Sequence, residues 1–154
     1  MECEHGMTDL KSWDTAVKSW EKEAKEVIRN KHARLVSIFF DKLVENSPMF
    51  TGFYAANHKI VQKGQDSFQT HPAKAPKKKG ILFDLIPTNS SNQKQKLAFP
   101  NLSDVLQVGS AVDYALNMEN PTGGTVAART GNRPVYINAR IQAITEFNQE
   151  QGKS

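Results

Sequence analysis

The longest regular pattern in the sequence is a stripe of apolar residues between positions 8 and 45. Its steps of three or four residues put its members on one face of a helix. Thr8 or Asp9 can cap the start, because a short oxygen-bearing side chain accepts a hydrogen bond from a free backbone N–H. Pro48 ends the pattern, since the residue before a proline avoids the helical region. We therefore predict a helix over 8–45, preceded by a flexible tail over 1–7. The stripe consists of Leu10, Trp13, Val17, Trp20, Ala24, Val27 or Ile28, Leu35, Ile38 and Phe39.

The predicted helix is long for a chain of this size. At 1.5 Å per residue it would extend about 57 Å, whereas a compact chain of 154 residues has a diameter of roughly 40 Å. The helix therefore either kinks, near the polar stretch Asn30-Lys31-His32, or packs in part on another subunit. Trp13 and Trp20 then belong to the core of one chain, to a core shared between subunits, or to a binding site.

Shorter patterns follow in the middle of the chain. Apolar runs predict strands around 58–61, 81–86 and 105–109, the second of them ended by a proline. The segment 62–80 is rich in proline and lysine and cannot pack a core, so we expect an exposed loop there. A second exposed polar loop is expected over 88–100.

The last part of the chain predicts two more helices. A short helix is expected over 112–119, and turn-forming residues follow at 120–124 and 131–134. A closing helix is expected over 135–149. The residues on its apolar face are Ile137, Ile141, Ile144 and Phe147. Together these elements predict an α+β fold in a single domain, with a long N-terminal helix, a small, mostly antiparallel sheet with long polar loops, a short helix and a C-terminal helix.

Composition and charge are those of a globular protein with an uneven charge distribution. The single cysteine, Cys3, excludes a disulfide within the chain and favours a reducing compartment. No stretch has the pattern of a signal peptide or a membrane span. The net charge is +4, but residues 1–26 carry seven acidic and four basic residues, whereas 58–96 carry eight basic and two acidic residues. Head-to-tail attraction between copies, contact with an acidic partner or an ordinary solvated surface would each fit this distribution.

The sequence contains no motif that indicates catalysis or a cofactor. The four histidines are scattered, and the close pair Cys3 and His5 falls short of the four ligands of a zinc site. Nucleophile-elbow and phosphate-loop motifs are both missing from the sequence. We therefore expect no enzymatic activity, no metal and no cofactor.

A small basic nucleic-acid-binding protein is the alternative function. Lys74, Lys77, Lys78 and Lys79 could contact phosphates, with an affinity that falls as salt rises. The segment lacks interleaved aromatic residues for base stacking, so any contact would be non-specific. A solvated loop or a docking arm for another protein explains the same lysines.

Two stretches of the chain together suggest a family. The first runs from Asn46 to Ala56 and contains Ser-Pro followed by Thr-Gly; the second runs from Val108 to Glu119 and contains Val-Gly followed by Tyr-Ala. The two stretches follow a long helix and precede Arg133-Pro134 and a last helix. In this order they resemble the head–tail joining proteins of tailed bacteriophages, also called neck or tail-completion proteins. The resemblance covers most of the chain.

The resemblance implies a structural virion protein at the head–tail junction, made in the cytoplasm of the host bacterium. Copies would form a closed ring, a hexamer as the first choice and a dodecamer as the second. The ring would join portal or connector proteins on the head side to tail terminator or tail tube proteins on the tail side. DNA would pass through its lumen, with non-specific contacts at most, and no membrane is involved.

The candidate residues are structural and interfacial. Glycine at 52 and 109 suits a positive φ or a close backbone approach, and Thr51 can bond nearby backbone in a turn. Tyr114 has an apolar ring and a polar tip, suited to an interface or a half-buried corner. Maintenance of the fold would account for each of these equally well. The full set is Trp13, Trp20, Thr51, Gly52, Lys77, Lys78, Lys79, Gly109, Tyr114 and Arg133.

Overall fold

The structure, a computed structural model, describes residues 2–49, 51–63, 77–99, 102, 105–110 and 134–153. By its internal contacts the chain divides into two compact units, residues 1–32 and 33–154. The first unit is helical throughout its described part, and the second contains the sheet and the other helices. The predicted α+β class is confirmed, and more residues lie in helices than in the sheet.

Helix α1 comprises Glu2–Asn46, so the predicted long N-terminal helix is confirmed. It begins earlier than residue 8, and residues 2–7 are helical where the sequence favoured a tail. Gly6 lies inside this first stretch, and a glycine costs a helix about 1 kcal/mol without ending it. The helix is also unbroken through Asn30-Lys31-His32. At the other end, Ser47 Oγ donates to the Leu43 carbonyl over 2.6 Å and so satisfies one of the last carbonyls.

The sheet has two antiparallel strands, β1 over His58–Gln62 and β2 over Leu106–Ser110. The register places His58 opposite Ser110 and Ile60 opposite Val108. The strands predicted at 58–61 and 105–109 are thereby confirmed. The strand predicted at 81–86 is wrong, because residues 78–84 form bends and turns that lead into a helix.

Helix α2 comprises Leu85–Gln95 and is followed by a 3-10 turn over Lys96–Ala98. The predicted polar loop at 88–100 is therefore wrong over most of its length. Pro87 does not prevent this helix, because a proline within the first turn removes an N–H that has no partner inside the helix. The polar residues that favoured a loop are instead on a helix face that contacts β1, as described below.

Helix α3 comprises Val135–Gly152, so the predicted closing helix is confirmed. The apolar face identified from the sequence is not the face that is buried. The buried residues are Val135, Ala139 and Ala143, and their spacing of four puts two small alanines toward the rest of the unit. The structure leaves the predicted isoleucines exposed. The predicted short helix at 112–119 and the turns at 120–124 and 131–133 lie outside the described residues.

Among the described residues, the core of the second unit includes two adjoining clusters. Residues from the end of α1, the turn before β1 and the start of α3 form the first: Leu43, Phe53, Tyr54, Val135 and Ala139. Val36, Phe40 and Ile60 form the second, with Val108 of β2 packed against both. Ion pairs also join α1 to α3, since Arg34 binds Glu150 and Lys42 binds Glu146 over 3.1 Å. The sheet is thus covered by α1, and α3 packs on α1 beside it.

Candidate functional site

The apolar stripe of the first unit is exposed on α1. We call Leu10, Trp13, Val17, Trp20, Ala24 and Val27 the tryptophan stripe. Trp13 is 62% exposed and Trp20 57% exposed, and Leu10 and Val27 are exposed as well. The two indole rings meet edge to face, with centroids 5.9 Å apart. For Trp13 and Trp20 the sequence left a core, a shared core or a binding site open, and they are not in a core formed by the described residues.

Exposed tryptophans of this kind are a natural docking surface. Burying a large apolar side chain is worth about 1.5–3 kcal/mol, and contiguous exposed apolar patches mark interaction sites. The stripe is accompanied by exposed ion pairs four residues apart, Asp14 with Lys18 at 3.0 Å and Glu21 with Lys25 at 2.8 Å. The hydrogen bond from Lys25 lowers the pKa of Glu21, so this carboxylate stays charged. The stripe therefore has a charged border on this side.

A second exposed apolar face lies on α3. We call Ile137, Ile141 and Ile144 the isoleucine stripe. Their side chains are 52%, 59% and 42% exposed. The spacing of four and three keeps them on one side of the helix, opposite the buried alanines at 139 and 143. Sequence reasoning placed these isoleucines on one face of the closing helix.

The candidate turn residues Thr51 and Gly52 are buried and hold the backbone. Thr51 Oγ1 accepts a hydrogen bond from the Phe53 N–H at 3.1 Å, and the Thr51 carbonyl accepts one from Leu82 at 2.9 Å. Gly52 has φ +86°, and a Cβ there would lie 3.0 Å from the Leu82 carbonyl carbon and from Phe83 Cδ1. Both features expected of Gly52, positive φ and close approach, are present. These two residues therefore fix the turn, rather than offering a surface.

The remaining candidate residues are dispersed. Lys77, Lys78 and Lys79 are exposed at the start of the turn region before α2. Gly109 lies within β2 opposite Lys59, in extended backbone instead of at a positive φ. Tyr114 and Arg133 lie outside the described residues. The structure thus does not bring the candidates together into one site.

A buried histidine is a feature of the second unit that sequence reasoning missed. His58 is fully buried at the start of β1. Its Nε2 lies 2.7 Å from Ser47 Oγ, and its Nδ1 lies 3.3 Å from the Tyr136 hydroxyl. Its ring meets those of Phe40 and Tyr54 edge to face. Nothing in the sequence marks this group, because Ser47, His58 and Tyr136 come from three elements with no motif spacing.

The hydrogen-bond partners of Ser47 favour a structural role over that of a base-activated serine. With the Ser47 proton donated to the Leu43 carbonyl, Ser47 Oγ accepts a hydrogen bond from His58 Nε2–H. The Tyr136 hydroxyl then donates to the unprotonated Nδ1. Burial lowers the pKa of His58 to about 4, in agreement with a neutral ring. A nucleophilic serine would need the opposite arrangement, with its proton on the histidine side, and we interpret the group as structural.

Further site types are constrained by the described residues. Among them, no group of three or more histidine, cysteine, aspartate or glutamate side chains is arranged to hold a metal ion. No helix in the part of the chain that the structure describes combines the length and the apolar character needed to cross a membrane. Comparison of the chain with protein-family models, with curated proteins and with solved structures finds no match. The candidate functional surfaces are therefore identified by the exposure and apolar character of their residues. They are the tryptophan stripe and the isoleucine stripe.

Proposed function

We propose that this protein is a structural subunit that assembles into a ring at the head–tail junction of a tailed bacteriophage. One face of the ring would meet portal or connector proteins and the other tail terminator or tail tube proteins, while DNA passes through the lumen. A hexamer is the first choice and a dodecamer the second. The subunit would have no enzymatic activity and would be made in the cytoplasm of the host bacterium.

The observation that carries this proposal is the exposure of Trp13 and Trp20 on α1. An amphipathic helix gains most of its stability when its apolar face is packed, and this face is exposed over residues 10–28. A second copy of the chain, or another subunit, would bury it. The buried histidine and the fixed turn at Gly52 support a role in which the second unit provides a rigid body.

Charge and symmetry favour a ring over other assemblies. Residues 1–26 have a net charge of −3, whereas the centre of the chain is basic. Two different surfaces of the same chain can then attract each other, which is a heterologous contact. Heterologous contacts close into rings when the rotation between copies permits. The placement at the head–tail junction rests on the sequence resemblance.

The first experiment is the mass of the purified protein by light scattering over a range of concentration and salt. The expected result is a discrete species of six or twelve copies, which electron micrographs would show as a ring with a central hole. An irregular series of masses, or a two-fold dimer with no ring, would contradict the proposal. A ring that appears only when purified portal or tail proteins are added would support it.

The basic segment allows the two functions to be separated. Lys77, Lys78 and Lys79 are exposed, as either a docking arm or a phosphate-binding loop requires. Deletion of residues 70–80 should leave the fold intact and weaken assembly, measured by circular dichroism and light scattering. Unchanged assembly would contradict a docking role. A DNA affinity that falls steeply with salt, measured on the intact protein and lost on deletion, would favour the nucleic-acid-binding alternative.

A further inference from the structure

The tryptophan stripe has the spacing of a coiled-coil seam. Its residues follow each other at steps of three, four, three, four and three, from Leu10 to Val27. That is the heptad pattern in which the first and fourth positions insert as knobs into holes on a facing helix. The large apolar side chains of the seam are exposed, and Trp13, Val17 and Trp20 occupy its centre. The seam is therefore suited to receive another helix, rather than a sheet or a loop.

The charges that border the seam disfavour pairing with itself. In the heptad register, the positions beside the seam between residues 10 and 28 hold three charged residues, Asp14, Glu21 and Glu23. All three are acidic, while the lysines of this segment lie farther round the helix. Two copies of the same seam would bring carboxylates together at these positions, which is unfavourable, although the pairing of Asp14 with Lys18 and of Glu21 with Lys25 reduces the repulsion. A helix that complements this seam would have an apolar stripe bordered by a basic residue or by neutral residues.

The isoleucine stripe of α3 has these properties. Ile137, Ile141 and Ile144 repeat the spacing of four and three that Trp13, Val17 and Trp20 show. In the same register, the positions beside the isoleucines hold Asn138, Arg140, Thr145 and Phe147, so the one charge among them is positive. The acidic residues of α3 are engaged elsewhere, since Glu146 binds Lys42 and Glu150 binds Arg34.

We infer that the tryptophan stripe of one copy packs against the isoleucine stripe of a second copy of this chain. Trp13, Val17 and Trp20 would interdigitate with Ile137, Ile141 and Ile144 over about two helical turns, with Arg140 facing the acidic border. The contact joins two different surfaces, so it is heterologous and can propagate from copy to copy into a ring. This inference rests on the proposed ring assembly and specifies the residues through which neighbouring subunits of the ring would bind each other.

The test is a disulfide between the central residues of the two stripes. Val17 and Ile141 are each the middle of three, so they meet whether the helices run parallel or antiparallel. In a background with Cys3→Ser, a Val17→Cys protein is mixed with an Ile141→Cys protein and oxidised mildly. The expected product is a band at twice the 17.2 kDa chain mass on a non-reducing gel. Both residues are exposed, so neither substitution disturbs the core.

Matched controls exclude other contacts. Lys18→Cys lies one residue from Val17 and outside the seam, so its mixture with Ile141→Cys should give at least tenfold less product. The Val17→Cys protein alone should not cross-link. Strong cross-linking of that protein with itself would overturn the inference in favour of a seam paired with its own copy. A protein that carries both Val17→Cys and Ile141→Cys is a further control. Formation of the disulfide within one monomer of this protein would also overturn the inference.

The failure of the inference can be distinguished from the failure of the proposed function. If light scattering shows a ring but the Val17–Ile141 disulfide is absent, the ring uses another contact and only the inference is wrong. If the wild-type chain forms no ring, alone or with portal and tail proteins, both are wrong. Iodide quenching of Trp13 and Trp20 on the unmodified protein gives a second measure. Its quenching constant should fall at least twofold on assembly, and an unchanged constant would contradict burial of the stripe.

Discussion

At the scale of single residues, His58 makes the stability of the second unit depend on pH. Its burial lowers its pKa from 6.5 to about 4. The side chains that contact the imidazole ring are uncharged at neutral pH. They are those of Ser47, Tyr136, Phe40 and Tyr54. Between pH 6.5 and 4 the unfolded chain binds a proton at His58 and the folded chain does not. Stability should therefore be complete above pH 6.5 and fall by about 3 kcal/mol as the pH drops to 4.

The matched variant for this pH dependence is His58→Gln. A glutamine amide can still donate to Ser47 Oγ but has no proton to gain in this range. The free energy of unfolding, measured by denaturant titration from pH 7 to 4, should be lower in the variant at pH 7. The difference from wild type should shrink toward pH 4. A difference that stays constant over the whole range would show that His58 does not carry the effect.

Gly52 is the residue where the backbone tolerates no side chain. Its φ of +86° is strained for an L-residue, and a Cβ would lie 3.0 Å from the Leu82 backbone. Gly52→Ala should lower the free energy of unfolding by about 2–3 kcal/mol, measured by denaturant titration. Gly152→Ala is the control, because nothing lies within 4 Å of its added methyl group and it ends a helix. That change should stabilise by no more than about 1 kcal/mol. Equal effects at the two positions would contradict this account of Gly52.

At the scale of elements, helix α2 covers the free edge of strand β1. Gln93 Oε1 accepts a hydrogen bond from the Ile60 N–H at 3.0 Å, and Lys96 Nζ donates to the Ile60 carbonyl at 3.0 Å. Asn89 donates to the His58 carbonyl at 3.1 Å. An uncovered edge strand presents unpaired N–H and C=O groups that invite pairing with other chains. Side chains of α2 and of the 3-10 turn that follows it thus take the place of a third strand.

Gln93→Ala tests this function of α2. The buried Ile60 N–H would lose its acceptor, which costs about 1–3 kcal/mol in the free energy of unfolding. Gln95→Ala changes an exposed glutamine on the same helix and should stay within about 0.5 kcal/mol of wild type. Denaturant titration measures both. The hydrogen exchange of the Ile60 amide should also accelerate in the first variant alone. Equal stability of the two variants would show that the edge is held by other contacts.

The same elements explain what the sequence could predict and what it could not. The helices α1 and α3 and the two strands follow from local periodicity, which a single sequence contains. Helix α2 does not, because Asn89, Gln93 and Lys96 look like loop residues until the strand edge that they bind is known. The buried face of α3 could not be predicted for a related reason, since two alanines carry a weaker hydrophobic signal than three isoleucines. The side of a helix that faces the core is decided by its partner.

The candidate site was predictable to a similar extent. The tryptophans and isoleucines could be identified from spacing, but whether a stripe is buried within its own chain is a tertiary property. The group around His58 comes from three elements and has no motif, so only the fold brings it together. Gly52 was predictable because a turn that needs a positive φ after Thr51 favours glycine at that position.

At the scale of the whole molecule, assembly should be separable from folding. The core residues of the second unit all lie between 33 and 154, whereas the tryptophan stripe lies in the first unit. Replacing Trp13 and Trp20 with glutamate would add two charges to a surface that assembly must dehydrate, and a buried unpaired charge is strongly unfavourable. The double variant should therefore be monomeric by light scattering where wild type is a ring. Its melting temperature at a concentration below assembly should match that of wild type.

The control for this variant is Ser12→Glu with Ser19→Glu. It adds the same two charges at the same seven-residue spacing, but on residues that lie off the seam and are exposed. If charge alone governs assembly, both double variants will be monomeric. If the tryptophan stripe forms the contact, only the tryptophan variant will be monomeric, while the serine variant will form rings at a concentration close to that of wild type. A tryptophan variant that still forms rings would remove the observation on which the proposed function depends.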